Sequence, residues 1–142
     1  MLIGHLALTV AALFTGAAFY INFAEQPARL ALDNRAMLAQ WKPSYARGFT
    51  MQASLAVIGF LLGSATWFVT NDWRWLAGAI VLVANWPFTM FVIMPVNYRL
   101  NKTPPESAGP VTRSLIEKWA RLHAVRTGLG AIATLTFIWA LN

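Results

Sequence analysis

The chain has 142 residues, 58% of them hydrophobic and 11% charged, with a net charge of +6 and a mean hydropathy of +0.53, whereas soluble domains carry about 25% charged residues. That balance excludes a disordered chain and argues against a soluble domain. Residues 1–24, 48–71, 75–98 and 127–142 contain no Asp, Glu, Lys or Arg, the pattern of a four-span membrane protein that forms a single transmembrane domain over residues 1–142.

The first span is predicted over residues 2–23. A secretory leader needs a basic start and a short apolar stretch, but the first Lys or Arg is Arg29, so the segment is expected to remain as a span. In the connection at residues 25–47, Pro27 suits a first helical turn, and Leu30, Asn34, Met37, Leu38 and Trp41 share one helical side. That spacing predicts a short amphipathic helix lying on the membrane surface. Lys42-Pro43-Ser44 is expected to turn the chain into the second span, residues 48–69, because proline is tolerated at a helix start and not in its interior.

Gly59-x-x-x-Gly63 in the second span, with Gly128 and Gly130 in the fourth, predicts close helix packing. After an outer turn at residues 70–74, the third span covers residues 75–96. Near its middle Pro87 frees a carbonyl that Asn85 can help satisfy, and Asn85 and Trp86 can also line the deep end of a ligand cavity. Residues 101–110 are rich in Pro, Ser and Gly and predict a loop. Helical spacing resumes at Thr112 and runs into the fourth span, residues 124–141. Since backbone in lipid must satisfy its own hydrogen bonds, the expected fold is all-α. It is an up-and-down four-helix bundle with a short surface helix between helices 1 and 2.

Ten of the eleven basic residues lie in or beside the connections after spans one and three. The positive-inside rule therefore puts those connections in the cytoplasm and both termini outside, in an inner (plasma) membrane of bacterial type. Trp41 and Trp119 then fall at the inner boundary, Trp67, Trp73, Trp75 and Trp139 at the outer one, and Trp86 in mid-span. Charges that border spans speak against a nucleic-acid partner. With no cysteine, disulfides, thiol redox chemistry and iron–sulfur ligation are excluded.

Up-and-down topology brings Asn22, Glu25, Tyr45, Arg47, Gln52, Asn97, Trp119, His123 and Arg126 to one membrane level. Trp119, His123, Arg126, Gly130 and Phe137 form a narrow helical stripe. His123 can act as a general base, and Arg126 can hold an anionic oxygen or developing enolate charge. Asn97 and Gln52 can fix a carbonyl or hydroxyl, with Tyr20 and Phe91 as added wall. Each has a structural alternative: an interfacial histidine, an ion pair of Glu25 with Arg126 or Arg47, and amides that satisfy helix ends. His5 and His123 lie at opposite membrane faces, separated by about 27 Å of helix, so no metal is expected within one chain and no cofactor is implied.

The runs Phe23-Ala24-Glu25-Gln26-Pro27-Ala28-Arg29, Trp41-Lys42-Pro43-Ser44-Tyr45-Ala46-Arg47 with Met51-Gln52-Ala53, Met94-Pro95-Val96-Asn97-Tyr98-Arg99-Leu100 and Trp119-x-x-x-His123-x-x-Arg126 resemble the anthrone oxygenase-like family of small four-span membrane proteins. The resemblance implies oxygenation of an aromatic anthrone to an anthraquinone without an obvious cofactor. It also implies a site of Asn97, Trp119, His123 and Arg126 supported by Glu25 and Tyr45. On that reading His123 removes a proton, Arg126 and Asn97 stabilise the enolate or phenolate, Trp119 and Trp86 hold the ring, and Glu25, Tyr45 and Gln52 complete the binding site. The expected partners are a hydrophobic aromatic small molecule and membrane lipid, with a homo-oligomer or larger membrane complex left open. The alternatives are a non-enzymatic membrane subunit or lipid-binding protein, and a small exporter.

Overall fold

The computed structural model describes residues 1–142 and contains helices and short turns without strands. Its four long helices are α1 (Leu2–Leu30), α2 (Asn34–Thr70), α3 (Trp73–Lys102) and α4 (Pro110–Leu141), each long and apolar enough to cross a membrane. α1 and α3 each pack against both α2 and α4 and occupy opposite corners of an antiparallel square. The inward faces carry Ala7, Ala11, Ala18, Ala56, Ala79 and Ala133, all fully buried, while Phe23, Phe68 and Phe91 point outward. A soluble bundle would bury the large side chains. Small residues inside and large apolar ones outside suit helices that associate by close backbone approach in lipid.

That approach is tightest around Phe137. A Cβ on Gly78 would lie 2.6 Å from its ring and one on Gly63 would lie 2.8 Å away, while Trp75 stacks on the same ring with centroids 5.3 Å apart. The ring is fully buried and has nowhere to move. Gly78→Ala is therefore expected to destabilise the bundle by about 1–3 kcal/mol, read as a lower unfolding midpoint in detergent. Gly59 and Gly130 are similarly hemmed in, by Leu82 and by Phe14. The expectation for Gly128 is corrected, because its Cα faces open space.

At one end the chain turns through Asn71, in the left-handed region at φ 56, and Asp72 caps α3 through the Arg74 backbone N–H. Hydrogen bonds from the Arg74 side chain, then from its backbone N–H, hold the Asp72 carboxyl below the usual carboxylate range. At the other, basic end, Arg113 of α4 donates to Asn34 Oδ1 and to the Leu30 and Leu32 carbonyls, which ties the α1–α2 turn to α4.

Three expectations are corrected here. First, residues 34–47 form no separate surface helix, and α2 runs unbroken through Pro43. Met37, Leu38 and Trp41 do form one apolar face, but that face packs on Val96, Leu100, Ile116 and Trp119 of α3 and α4. Pro43 is tolerated because it and Ala39, whose carbonyl loses its donor, both lie on the exposed side. Second, Trp41, Trp75 and Trp119 are buried core residues; Trp73 and Trp139 are the exposed tryptophans at the Asn71 end and pack edge to face. Third, Tyr20 and Phe91 face outward and line no wall.

α1 and α3 each widen into a π-helical turn, at Ile21–Glu25 and Thr89–Ile93. Each ends two residues before a proline, Pro27 or Pro95. A proline has no N–H to return to the carbonyl four residues back, so the preceding turn is free to widen. Turns of this kind re-aim side chains and recur at functional sites, and both flank the same polar layer.

Candidate functional site

A polar layer separates two apolar clusters, one around Phe14, Trp75 and Phe137 and the other around Trp41, Ile93 and Trp119. Gln52, Asn85, Thr89, Asn97, His123 and Arg126 are all buried in or beside it. Two neighbouring spaces lie within this layer. A cavity of about 280 Å³ is lined by Phe49, Ala53, Asn85, Trp86, Thr89, Met90, Met94 and Arg126. It reaches the bundle surface between α2 and α3 at Trp86 and Met90, which are 43% and 56% exposed. Beside it a recess of about 20 Å³ is bounded by Tyr45, Gln52, Asn97, Trp119, His123 and Arg126, room for about one water. Phe49 and Arg126 border both spaces.

Arg126 is the unusual group. The three ion pairs of the chain join Glu25 to Arg29, Arg35 to Glu106 and Asp72 to Arg74. Asp33 caps α2 and Glu117 is exposed on α4, so no carboxylate faces Arg126. Its Nε is buried without a partner, and its guanidinium lies 5.8 Å from the centre of the Phe14 ring. A buried cation is costly unless paired, and the open side of this one faces the cavity.

His123 is held in a defined orientation. Its Nδ1 donates to Asn22 Oδ1 at 2.8 Å, and the same oxygen accepts from Thr127. Asn22 Nδ2 donates to the Ala120 carbonyl, which fixes the amide so that its oxygen faces the ring. With Nδ1 committed as a donor, Nε2 of the neutral ring keeps the lone pair. Trp119 stacks on the imidazole at 5.0 Å between centroids and meets Trp41 edge to face at 5.9 Å. The π-helical turn in α1 is what brings Asn22 to this face.

Among the residues expected at the site, His123, Arg126, Asn97, Trp119, Tyr45 and Gln52 come together around the recess, and Trp86 and Arg126 line the larger cavity. Trp119 backs the imidazole and does not reach the cavity, so it holds no ring there. The amide oxygens of Asn97 and Gln52 are buried without a donor, and Asn97 Nδ2 has only the Met94 sulfur as a partner, at 3.8 Å. Gln52 Nε2 is bound to the Phe14 carbonyl, and Tyr45 borders the recess with Asn97 and Arg126.

Glu25 is not at the recess. Its partner is neither Arg126 nor Arg47 but Arg29, at 2.5 Å, and it also accepts from Ser44. Sequence reasoning missed Arg29, Gln26 and Gln40, which form a hydrogen-bonded network with Glu25 beside Trp119. The Arg29 guanidinium sits 5.7 Å from the centre of the Trp119 ring. The i, i+4 spacing of Glu25 and Arg29 was the available signal. It also missed Thr89, Met90 and Met94 as cavity wall.

The fold and site define an all-helical bundle with four membrane-compatible spans around a buried, unpaired cation. The chain belongs to the anthrone oxygenase family, whose model matches residues 41–136, and is a membrane protein of that family. The match includes every residue lining the cavity, while Asn22, Glu25 and Arg29 lie before it. No curated protein and no solved structure matches the chain.

Proposed function

We propose that this protein is a membrane-embedded oxygenase acting on a flat, hydrophobic aromatic ketone or phenol of the anthrone class, taken from the bilayer between α2 and α3. The observation that carries this reading is Arg126, a buried cation without a protein counter-charge, at the junction of an apolar cavity of about 280 Å³ and the His123 recess. The cavity volume and apolar wall suit a flat polycyclic molecule, and Arg126 supplies the charge that its enolate oxygen needs.

The chemistry balances with oxygen as the only co-substrate. His123 Nε2, directly or through one water in the recess, takes a proton from the methylene carbon of the anthrone. The negative charge moves onto the ketone oxygen beside Arg126, and the electron-rich methine carbon reduces and bonds oxygen. The resulting hydroperoxide loses water to leave a second ketone. One oxygen atom enters the product and the other leaves as water, so no external reductant is consumed.

The direct test uses purified protein in nanodiscs given anthrone under air, with oxygen uptake and anthraquinone formation followed together. One oxygen consumed per quinone, above the rate with empty nanodiscs, is the expected result. Tight binding without oxygen uptake would replace the oxygenase with a binding module for hydrophobic acids, and no binding at all would leave a structural membrane subunit. Arg126→Lys adds a finer check. A planar guanidinium matches a planar oxyanion by two hydrogen bonds where an ammonium is a point charge, so affinity for an aromatic carboxylate should fall by roughly tenfold. An unchanged affinity by titration calorimetry would mean that charge alone suffices.

A further inference from the structure

The cavity has a second polar feature on α3, which extends from the level of Arg126 about one helical turn toward Asn71. Asn85 is 1% exposed and lines the cavity. Its Nδ2 donates to the Leu82 carbonyl at 2.9 Å, which fixes the amide and leaves Oδ1 buried with no donor. Thr89, on the same face of α3, is 6% exposed, and its hydroxyl also has no partner. This is unlike the other helical threonines. Thr9, Thr15, Thr50, Thr66, Thr134 and Thr136 all return their hydroxyl to the carbonyl four residues back, the local bond that normally satisfies threonine inside a helix. Two neighbouring side chains that line one cavity therefore hold unused hydrogen-bonding capacity in a buried place, where such groups are otherwise paired.

We propose that Asn85 and Thr89 form a polar anchor that selects ligands bearing a hydroxyl in addition to the oxygen held by Arg126. This rests on the reading of Arg126 as the anion-binding group. The chemistry required of the ligand follows from the free atoms. Asn85 Oδ1 only accepts, so the ligand must bring a donor, while Thr89 Oγ1 can both donate and accept. A phenolic hydroxyl satisfies both at once; an ether, a methyl group or a bare ring edge leaves the Asn85 oxygen buried without a donor. The contact of Gly78 with Phe137 sets the antiparallel register of α3 and α4, which puts Thr89 level with Arg126 and Asn85 about 6 Å deeper. The favoured substrate is thus a polycyclic aromatic that carries a phenol as well as its acidic oxygen.

A matched pair of probes isolates this anchor: 2-naphthoate and 6-hydroxy-2-naphthoate, which share the carboxylate and differ by the distal hydroxyl. Their affinities would be measured by titration calorimetry on the full chain in nanodiscs, for wild type, Asn85→Leu and Thr89→Val. Wild type should bind the hydroxylated probe at least about tenfold more tightly, because a site equipped to bond a hydroxyl rejects the analogue that lacks it. Asn85→Leu should bring the ratio close to one, and the nearly isosteric Thr89→Val should reduce it and keeps the test available if the first variant does not fold. A wild-type ratio near one, or a ratio kept by both variants, would overturn the proposal while leaving the Arg126 site standing. Failure of both probes to bind wild type would overturn the Arg126 reading and this one with it.

Discussion

His123→Ala is expected to lower oxygen uptake on an anthrone by a hundredfold or more while leaving the protein folded. General-base catalysis typically contributes about 10²–10⁴, and no second base borders the recess: Tyr45, Gln52, Asn97, Trp119 and Arg126 cannot accept a proton in this way at neutral pH. The fold should survive because Asn22, which loses the imidazole as donor, keeps Thr127 as a donor to the same oxygen and the Ala120 carbonyl as an acceptor. The measurement pairs turnover with the unfolding midpoint. A structural histidine would give the opposite pattern, a lower midpoint with turnover reduced only in proportion to the folded fraction. Asn22→Leu separates the two roles further. It leaves the imidazole in place but removes the carbonyl that fixes the Nδ1–H tautomer, so its turnover should fall between wild type and His123→Ala.

The spans and the polar level were legible because bilayer thickness and helical pitch are strong constraints. Charge-free windows mark the spans, and the spacing of Trp119, His123 and Arg126 puts all three on the buried side of α4, where the structure has them. What a periodic reading misses is a local departure from the period. The π-helical turns at Ile21–Glu25 and Thr89–Ile93 rotate everything beyond them, so Phe14, Ala18, Asn22 and Gln26 all face inward at a constant spacing of four, where a regular helix would drift by about 120° over the same run. Pro27 and Pro95 were the visible signals, the first read as a helix start and the second only as part of the run at residues 94–100.

Pro43 misled for a related reason. The rule against proline inside a helix concerns a lost hydrogen bond, and on the exposed face at a basic helix end that loss is tolerated. The apolar side of residues 34–41 was correctly seen, but periodicity says that a face is buried and not what buries it. Here the ends of α3 and α4 extend far enough past the apolar windows to cover it. Arg29 was hidden by the opposite error. A basic residue just beyond a span fits the positive-inside rule so well that only the i, i+4 spacing to Glu25 set it apart from exposed Arg35 or Lys102, although its side chain is only 1% exposed.

That burial makes the second large prediction. Glu25→Ala should destabilise the bundle by about 3 kcal/mol, the lower end of the cost of leaving one partner of a buried pair uncompensated. Arg29 would keep Gln26 and Gln40 as acceptors, which softens the loss, but it would have no anion and no route to water. Arg29→Met should cost less, because the Glu25 side chain is 20% exposed and can turn toward solvent once its partner is gone. The pair changed together, Glu25→Ala with Arg29→Met, removes the stranded cation and should recover most of what Glu25→Ala alone loses, a non-additivity characteristic of directly coupled residues. Unfolding in detergent for the four proteins of this cycle gives the coupling directly. Equal and additive losses would mean that Arg29 is held by its packing under Trp119 and not by the carboxylate. A stable Glu25→Ala protein with altered turnover would instead move the network from scaffold to site, since Trp119 packs against both the Arg29 guanidinium and the His123 ring.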